Sequence, residues 1–258
     1  MASSRKPTLV LVQGSFQLPE VYHKLSDALR ATGYRVEQPS LPSLTDQDKP
    51  DFASKSLTDD ALAIRSKVTE LVEAGETVVM VLHSYGGLVG TEAVTKDLSF
   101  EQRKSQGLAG GVLHLFYFAA FILTEGQSVL STFGEPPDNL VKPNGRFALK
   151  NTADILYHDL PAAEAQYWES KTVDQSYAVK TTAITNEGFR YVRSTYVVCE
   201  NDRAAPPQYQ EMFGKTAGSD VIKLSSGHSP MLSHTGKLVE MINMAVQSAV
   251  EGKRTELK

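Results

Sequence analysis

The stretch Thr77–Gly87, TVVMVLHSYGG, constrains this chain more than any other. Thr77–His83 is valine-rich and lacks the apolar–polar alternation of a strand with one wet face. A run of this kind is a strand buried on both sides, within a sheet covered by helices. Ser84, Tyr85, Gly86 and Gly87 follow at once, and Leu88–Leu98 reads as helix. A strand that turns this sharply into a helix strains the serine backbone and leaves its Oγ exposed at the strand's carboxyl end. The helix N-terminus then aims amide N–H groups at negative charge developing nearby.

The other segments support a parallel α/β architecture. Thr8–Gln13, Tyr34–Gln38, Val112–Ala120, Ser194–Glu200 and Asp220–Leu224 read as further strands. Pro19–Ala31, Pro207–Ala217 and Thr235–Val250 read as helices between and after them. Ser56 and Asp59 fit a capping box for another helix, with Leu62, Val68, Leu71 and Val72 as its apolar face and Gly75 as its stop. Pro39–Asp51 reads as loop. Strands alternating with helices predict a mostly parallel central sheet with helices on both faces. The pattern breaks between about Phe121 and Phe189, where Pro136, Pro137, Pro143 and Pro161 mix with Phe133, Phe147, Tyr157, Tyr167 and Trp168. We expect a helical cap insertion at 121–190, rather than another sheet unit, with a core from 1–120 and 191–258. Residues 251–258 read as a solvated tail.

Composition narrows the function. With 258 residues the chain can bury a core that needs no disulfide or metal. A net charge of -4 argues against nucleic acid as partner, and the basic pairs Arg5-Lys6 and Lys253-Arg254 sit in tails. The single cysteine, Cys199, fits a reducing compartment and is read as packing. The N-terminal apolar run is too short for a signal peptide, and Val112–Leu123 is too short to span a membrane. The expectation is a cytoplasmic protein acting on a small molecule, with no membrane or nucleic-acid partner and a homodimer left open. No phosphate loop, dinucleotide fingerprint or metal-ligand spacing occurs, so we expect neither cofactor nor metal.

Ser84 needs a base, and the base an orienting acid. Of the six histidines, only His228 lies in a sharp loop, Ser225–Pro230, between a late strand and the final helix. His234 is the fallback. His83 directly precedes Ser84 and cannot easily reach its Oγ, and His114 falls mid-strand; His23 and His158 have no such placement. For the acid, Asp202 leaves the Ser194–Glu200 strand into the facing loop, with Glu200 and Glu125 as alternatives. Acyl transfer also needs oxyanion donors. The Tyr85 N–H is one; the second comes from Ser15 or Phe16 in the Gln13–Phe16 loop, and we name Ser15. Gly14 lets that loop turn close to the site.

The motifs QGSF, LHSYGG, FYFAAFILTEGQS, CENDRAAPP and SSGHSPML resemble those of the α/β-hydrolase superfamily over about residues 7–250. The chain looks most like the branch of plant methylesterases, hydroxynitrile lyases and their microbial relatives. That resemblance implies the α/β-hydrolase fold and a triad of Ser84, Asp202 and His228. Two positions depart from the family. Gln13 stands where His is usual, and Leu82 replaces the first glycine of G-x-S-x-G. Gly14 and Ser229 occupy positions where the lyases carry Thr or Asn and, in one group, Lys; both resemble the esterase side. The expectation is a serine carboxylesterase of a small apolar or aromatic substrate. Gly14, Phe16, Phe121, Phe133, Tyr157 and Trp168 are the candidate substrate contacts. The rival readings are carbon–carbon cleavage, lactone opening or cyclisation of a polyketide-like compound, and a small-molecule receptor with little turnover.

Overall fold

Alternate residues of each central strand face opposite layers, and in this chain both layers are apolar. A computed structural model describes residues 6–252. Arg5, the Lys253-Arg254 pair and most of the expected tail lie outside the described residues. The strand β1 (Thr8–Val12) leads through a 3-10 turn at Pro19–Tyr22 into α1 (His23–Ala31). Then come β2 (Val36–Glu37), α2 (Pro42–Thr45), α3 (Leu57–Glu73) and β3 (Thr77–His83). The elements α4 (Gly86–Ala93), α5 (Phe100–Ser105) and β4 (Gly111–Phe118) follow.

Between β4 and the next strand of the main sheet the chain holds short elements. They are α6 (Val129–Phe133), β5 (Asn139–Val141), β6 (Arg146–Leu149), α7 (Thr152–Leu156), α8 (Ala162–Glu169), β7 (Gln175–Ser176) and α9 (Ala178–Thr181). The main sheet resumes with β8 (Ser194–Cys199), and α10 (Pro207–Thr216) leads to β9 (Asp220–Leu224). The short α11 (Pro230–Ser233) and the long α12 (Thr235–Val250) close the described chain.

The main sheet has the order β2-β1-β3-β4-β8-β9, and every neighbouring pair is parallel. Along β3, Val78, Met80 and Leu82 join one core with Ile64, Val68 and Leu88. Val79 and Val81 join the other with Leu25, Leu29, Leu238 and Ile242. This two-sided burial is that of a parallel sheet covered by helices on both faces, and it explains the absence of alternation in the inner strands' sequences.

Several expectations change. The capping box forms: Ser56 Oγ accepts from the Asp59 amide, and Asp59 Oδ2 accepts from the Ser56 amide at 2.8 Å. Leu62, however, is 52% exposed; the buried face runs Leu57, Ala61, Ile64, Val68, Leu71, Val72. Leu62 follows Ala61 by one residue, about 100° around the helix and off that stripe. The 39–51 loop contains α2, which starts at Pro42, where a missing N–H costs nothing. The helix expected at Leu88–Leu98 starts at Gly86 and stops at Ala93, where Val94 turns extended. The 121–190 segment holds more than short helices: β5, β6 and β7 form a separate antiparallel sheet. No helix among the described residues is long and apolar enough to cross a membrane.

Candidate active site

The carboxyl ends of β1, β3, β4 and β8 converge on one side, where open α/β sheets place ligands. Ser84 follows the last residue of β3 with φ 51°, a strained left-handed backbone for a non-glycine residue. Its carbonyl accepts from Gly87 N at 2.9 Å and Phe121 N at 3.0 Å, which pins the turn from both sides. Leu82, in place of the usual glycine, is accommodated by Gly90. A Cβ at position 90 would meet Leu82 Cδ2 at 2.3 Å, so the missing side chain on α4 makes room for the extra one on β3.

His228 Nδ1 donates to Asp202 Oδ2 at 2.8 Å. Asp202 Oδ1 accepts from the amides of Ala204 (2.7 Å) and Ala205 (2.9 Å), and Oδ2 also accepts from Gln210 Nε2 at 2.9 Å. With Nδ1 so engaged, His228 Nε2 is the ring atom left to take a proton. Ser84 and His228 line the same cavity. Among the described residues they form no hydrogen bond in this resting state; such contacts often tighten only with substrate. Glu200 and Glu125 are exposed and do not line this cavity. His234 ends α11, with Nδ1 on Ser233 Oγ, and His114 is a buried mid-strand residue bonded to Thr195.

The Ser15 and Tyr85 amides have no backbone acceptor among the described residues. Both residues line the cavity beside Ser84, as oxyanion donors must. Gly14 sits behind Ser84: a Cβ there would meet Ser84 Cβ at 2.9 Å and His83 Nδ1 at 3.0 Å. Phe16 adopts φ 63°, and its carbonyl accepts from Val173 N of the inserted segment at 3.0 Å.

The cavity measures about 630 Å³. Phe16, Phe121 and Phe133 contribute to its wall, together with Phe147, Leu149 and Phe213. Tyr157 and Trp168 do not, which corrects the expectation for them. Both are buried in the layer of α1 and α12, where the Trp168 ring lies tilted against His23 at 6.4 Å and Tyr157 bonds Gln17. Their aromatic type suggested a ligand; their packing makes them core. Gly14 lies behind Ser84 rather than on the wall.

The sequence matches the alpha/beta hydrolase family over residues 9–241. The chain belongs to that family. This hydrolase is 29% identical over 255 residues to Alpha/beta hydrolase nvfD of Aspergillus novofumigatus, covering 95% of this chain and 99% of that protein. It is 26% identical over 262 residues to Methyl jasmonate esterase 1 of Vitis vinifera, covering 95% and 98%. The fold superposes on polyneuridine aldehyde esterase with a TM-score of 0.72 at 18% identity, covering 91% and 97%.

Several residues of the hydrolase site escaped sequence reasoning because their partners are far along the chain. Asp60 on α3 is fully buried and accepts from Tyr85 Oη (2.8 Å), Ser43 N (2.9 Å) and Ser43 Oγ (2.6 Å). Burial pushes its carboxyl up to about 6, against those hydrogen bonds. Ser43 Oγ accepts in turn from Gln175 of β7. Lys180, 3% exposed, lines the cavity and pairs with Glu135. Burial acts to raise Glu135, but bonds from Lys180, Tyr177 and Asn139 outweigh it and leave that carboxyl below its ordinary range. Asp159 accepts from the Gly227 amide at 2.7 Å and so anchors the loop carrying His228. The Cys199 thiol is buried, and burial pushes it far above its ordinary value, which disfavours the reactive thiolate.

Proposed function

We propose that this hydrolase cleaves a carboxylic ester of a small, neutral, apolar or aromatic compound through an acyl-enzyme on Ser84. The buried Asp202–His228 pair, opening onto the same cavity as Ser84, carries this reading. Asp202 holds Nδ1–H, so Nε2 is free to take the Ser84 proton as Oγ attacks the ester carbonyl. The amides of Tyr85 and Ser15 receive the oxyanion. His228 then returns the proton to the leaving alcohol, and a water, activated the same way, releases the acid.

The cavity favours neutral substrates. Its wall is mostly apolar, and its buried cation, Lys180, is already matched by Glu135. Residues 121–190 serve as the cap that supplies much of this wall. A relative named as an ester hydrolase, Methyl jasmonate esterase 1, agrees with the reaction class.

The test is a stopped-flow burst with p-nitrophenyl acetate or butyrate, on the native protein and on Ser84→Ala. A burst near one equivalent that vanishes in the variant supports the reading. No burst, together with no labelling of Ser84 by a fluorophosphonate, would overturn it and turn attention to acid–base lyase or cyclase chemistry.

A further inference from the structure

Behind Ser84 and His228 lies a chain of buried polar groups that the hydrolytic steps do not use. Gln17 is 1% exposed, and Tyr22, His83, Tyr157 and Ser229 are 0% exposed. Tyr22 Oη lies 2.8 Å from the Gly14 amide, 2.7 Å from the Gln17 side-chain amide and 2.7 Å from His83 Nδ1. His83 Nε2 lies 2.8 Å from the carbonyl oxygen of His228. The other polar end of the Gln17 amide is 3.0 Å from Tyr157 Oη and 3.4 Å from Ser229 Oγ. One connected group therefore touches the oxyanion loop, the residue before the nucleophile, and two consecutive residues of the base loop.

Counting hydrogens fixes the direction of each bond. A carbonyl only accepts, so His83 Nε2 carries a hydrogen. A neutral ring then presents a lone pair at Nδ1. Tyr22 Oη accepts from Gly14 N–H, and its own single proton points to that lone pair. Gln17 must therefore turn its NH2 toward Tyr22 and its oxygen toward Tyr157 and Ser229, whose hydroxyls both donate. The two ends of an amide have the same shape, so this orientation moves no heavy atom. The opposite pattern gives the Tyr22 proton to Gln17 and makes His83 a cation. Burial, and then the charge on His228 nearby, drive His83 well below its ordinary value and oppose that cation. The two imidazole centres are 4.8 Å apart, and Phe118 stacks on His83 at 4.7 Å.

We propose that His83 is a positioning residue of the site. Neutral and protonated at Nε2, it fixes the backbone of His228, while Tyr22 links its Nδ1 to the Gly14 amide of the oxyanion loop. The functional consequence rests on the serine-hydrolase reading above; the tautomer rests on the hydrogen count and on the full burial of the ring. When His228 takes up the Ser84 proton, a neutral His83 adds no second positive charge beside it. The base loop and the oxyanion loop are held by the same two side chains and keep their spacing together.

The test uses the full chain with 15N-labelled histidine and long-range proton–nitrogen correlation spectra. His83 should remain the neutral Nε2–H form from about pH 5 to about pH 8. A cationic or Nδ1–H His83 overturns the proposal. This measurement needs no variant, so it stands even if Tyr22→Phe fails to fold. In folded Tyr22→Phe, kcat on p-nitrophenyl acetate should fall on the order of 10–100-fold with KM changed by no more than about twofold. An unchanged kcat, or a loss confined to KM, overturns the positioning role. An intact burst with the wrong His83 tautomer defeats this proposal alone. A missing burst with the expected tautomer defeats the serine-hydrolase reading instead.

Discussion

His228 Nδ1 and Asp202 Oδ2 stand 2.8 Å apart, with side chains 3% and 0% exposed. The carboxylate serves four donors at once, among them two loop amides and Gln210. Asp202→Asn keeps the shape but cannot accept at both ends of the side chain. Its NH2 faces donors, or it forces His228 into the other tautomer. We expect kcat for ester hydrolysis to fall on the order of 10⁴-fold while the folded state persists. Steady-state kinetics beside circular dichroism checks this; near-native turnover would remove Asp202 from the mechanism.

Asp60 gives a pH signature of stability. Its carboxyl rises from 3.8 to about 6 on folding, so the folded chain holds the proton more tightly than the unfolded chain. The stabilisation is fully present below the unfolded value and is lost as pH climbs through the folded one. The span corresponds to about 3 kcal/mol. Asp60→Asn lacks this titration. The difference in unfolding free energy between the native chain and the variant should therefore shift by about that amount between pH 4 and 7, toward the variant at higher pH. Urea denaturation at both ends measures it. A difference independent of pH would mean that another group titrates.

Gly90 and Leu82 should be coupled. Gly90→Ala alone drives a Cβ to 2.3 Å from Leu82 Cδ2 and should cost about 1–3 kcal/mol. Leu82→Ala alone removes a fully buried side chain and should cost about 2–5 kcal/mol. The double variant should be more stable than the sum of the two losses predicts, because the new methyl enters the vacated space. Strict additivity in denaturation midpoints would show that α4 relaxes away from β3 by another route.

The inner strands of the main sheet were legible because they are parallel and buried on both faces, leaving continuous apolar runs such as TLVLV or TVVMVLH, whereas the edge strand β9, DVIKL, alternates. The inserted sheet left none. Its strands span two to four residues, and Gln175-Ser176 is polar, too short and too hydrophilic to mark a period. Ser84, Asp202 and His228 could be named because each sits in a short loop after a strand, where local signals suffice. Asp60, Gln17 and Tyr22 could not. Asp60 reaches Tyr85 across 25 positions, Gln17 reaches Ser229 across 212, and nothing local marks either pairing. Tyr157 and Trp168 show the converse, since residue type alone pointed to a ligand and packing placed them behind α1.

The bond from Val173 N to Phe16 O has a consequence for how a substrate arrives. It ties the inserted segment to the loop that carries the Ser15 amide. Gln175 on Ser43 and Tyr157 on Gln17 add further ties of the same kind. An outward swing of that segment would have to break this bond or move Phe16 with it. Tyr209 and Met212 line the cavity yet are 48% and 47% exposed. With that segment held in place, an opening beside these two side chains would sort ligands by cross-section rather than by overall length.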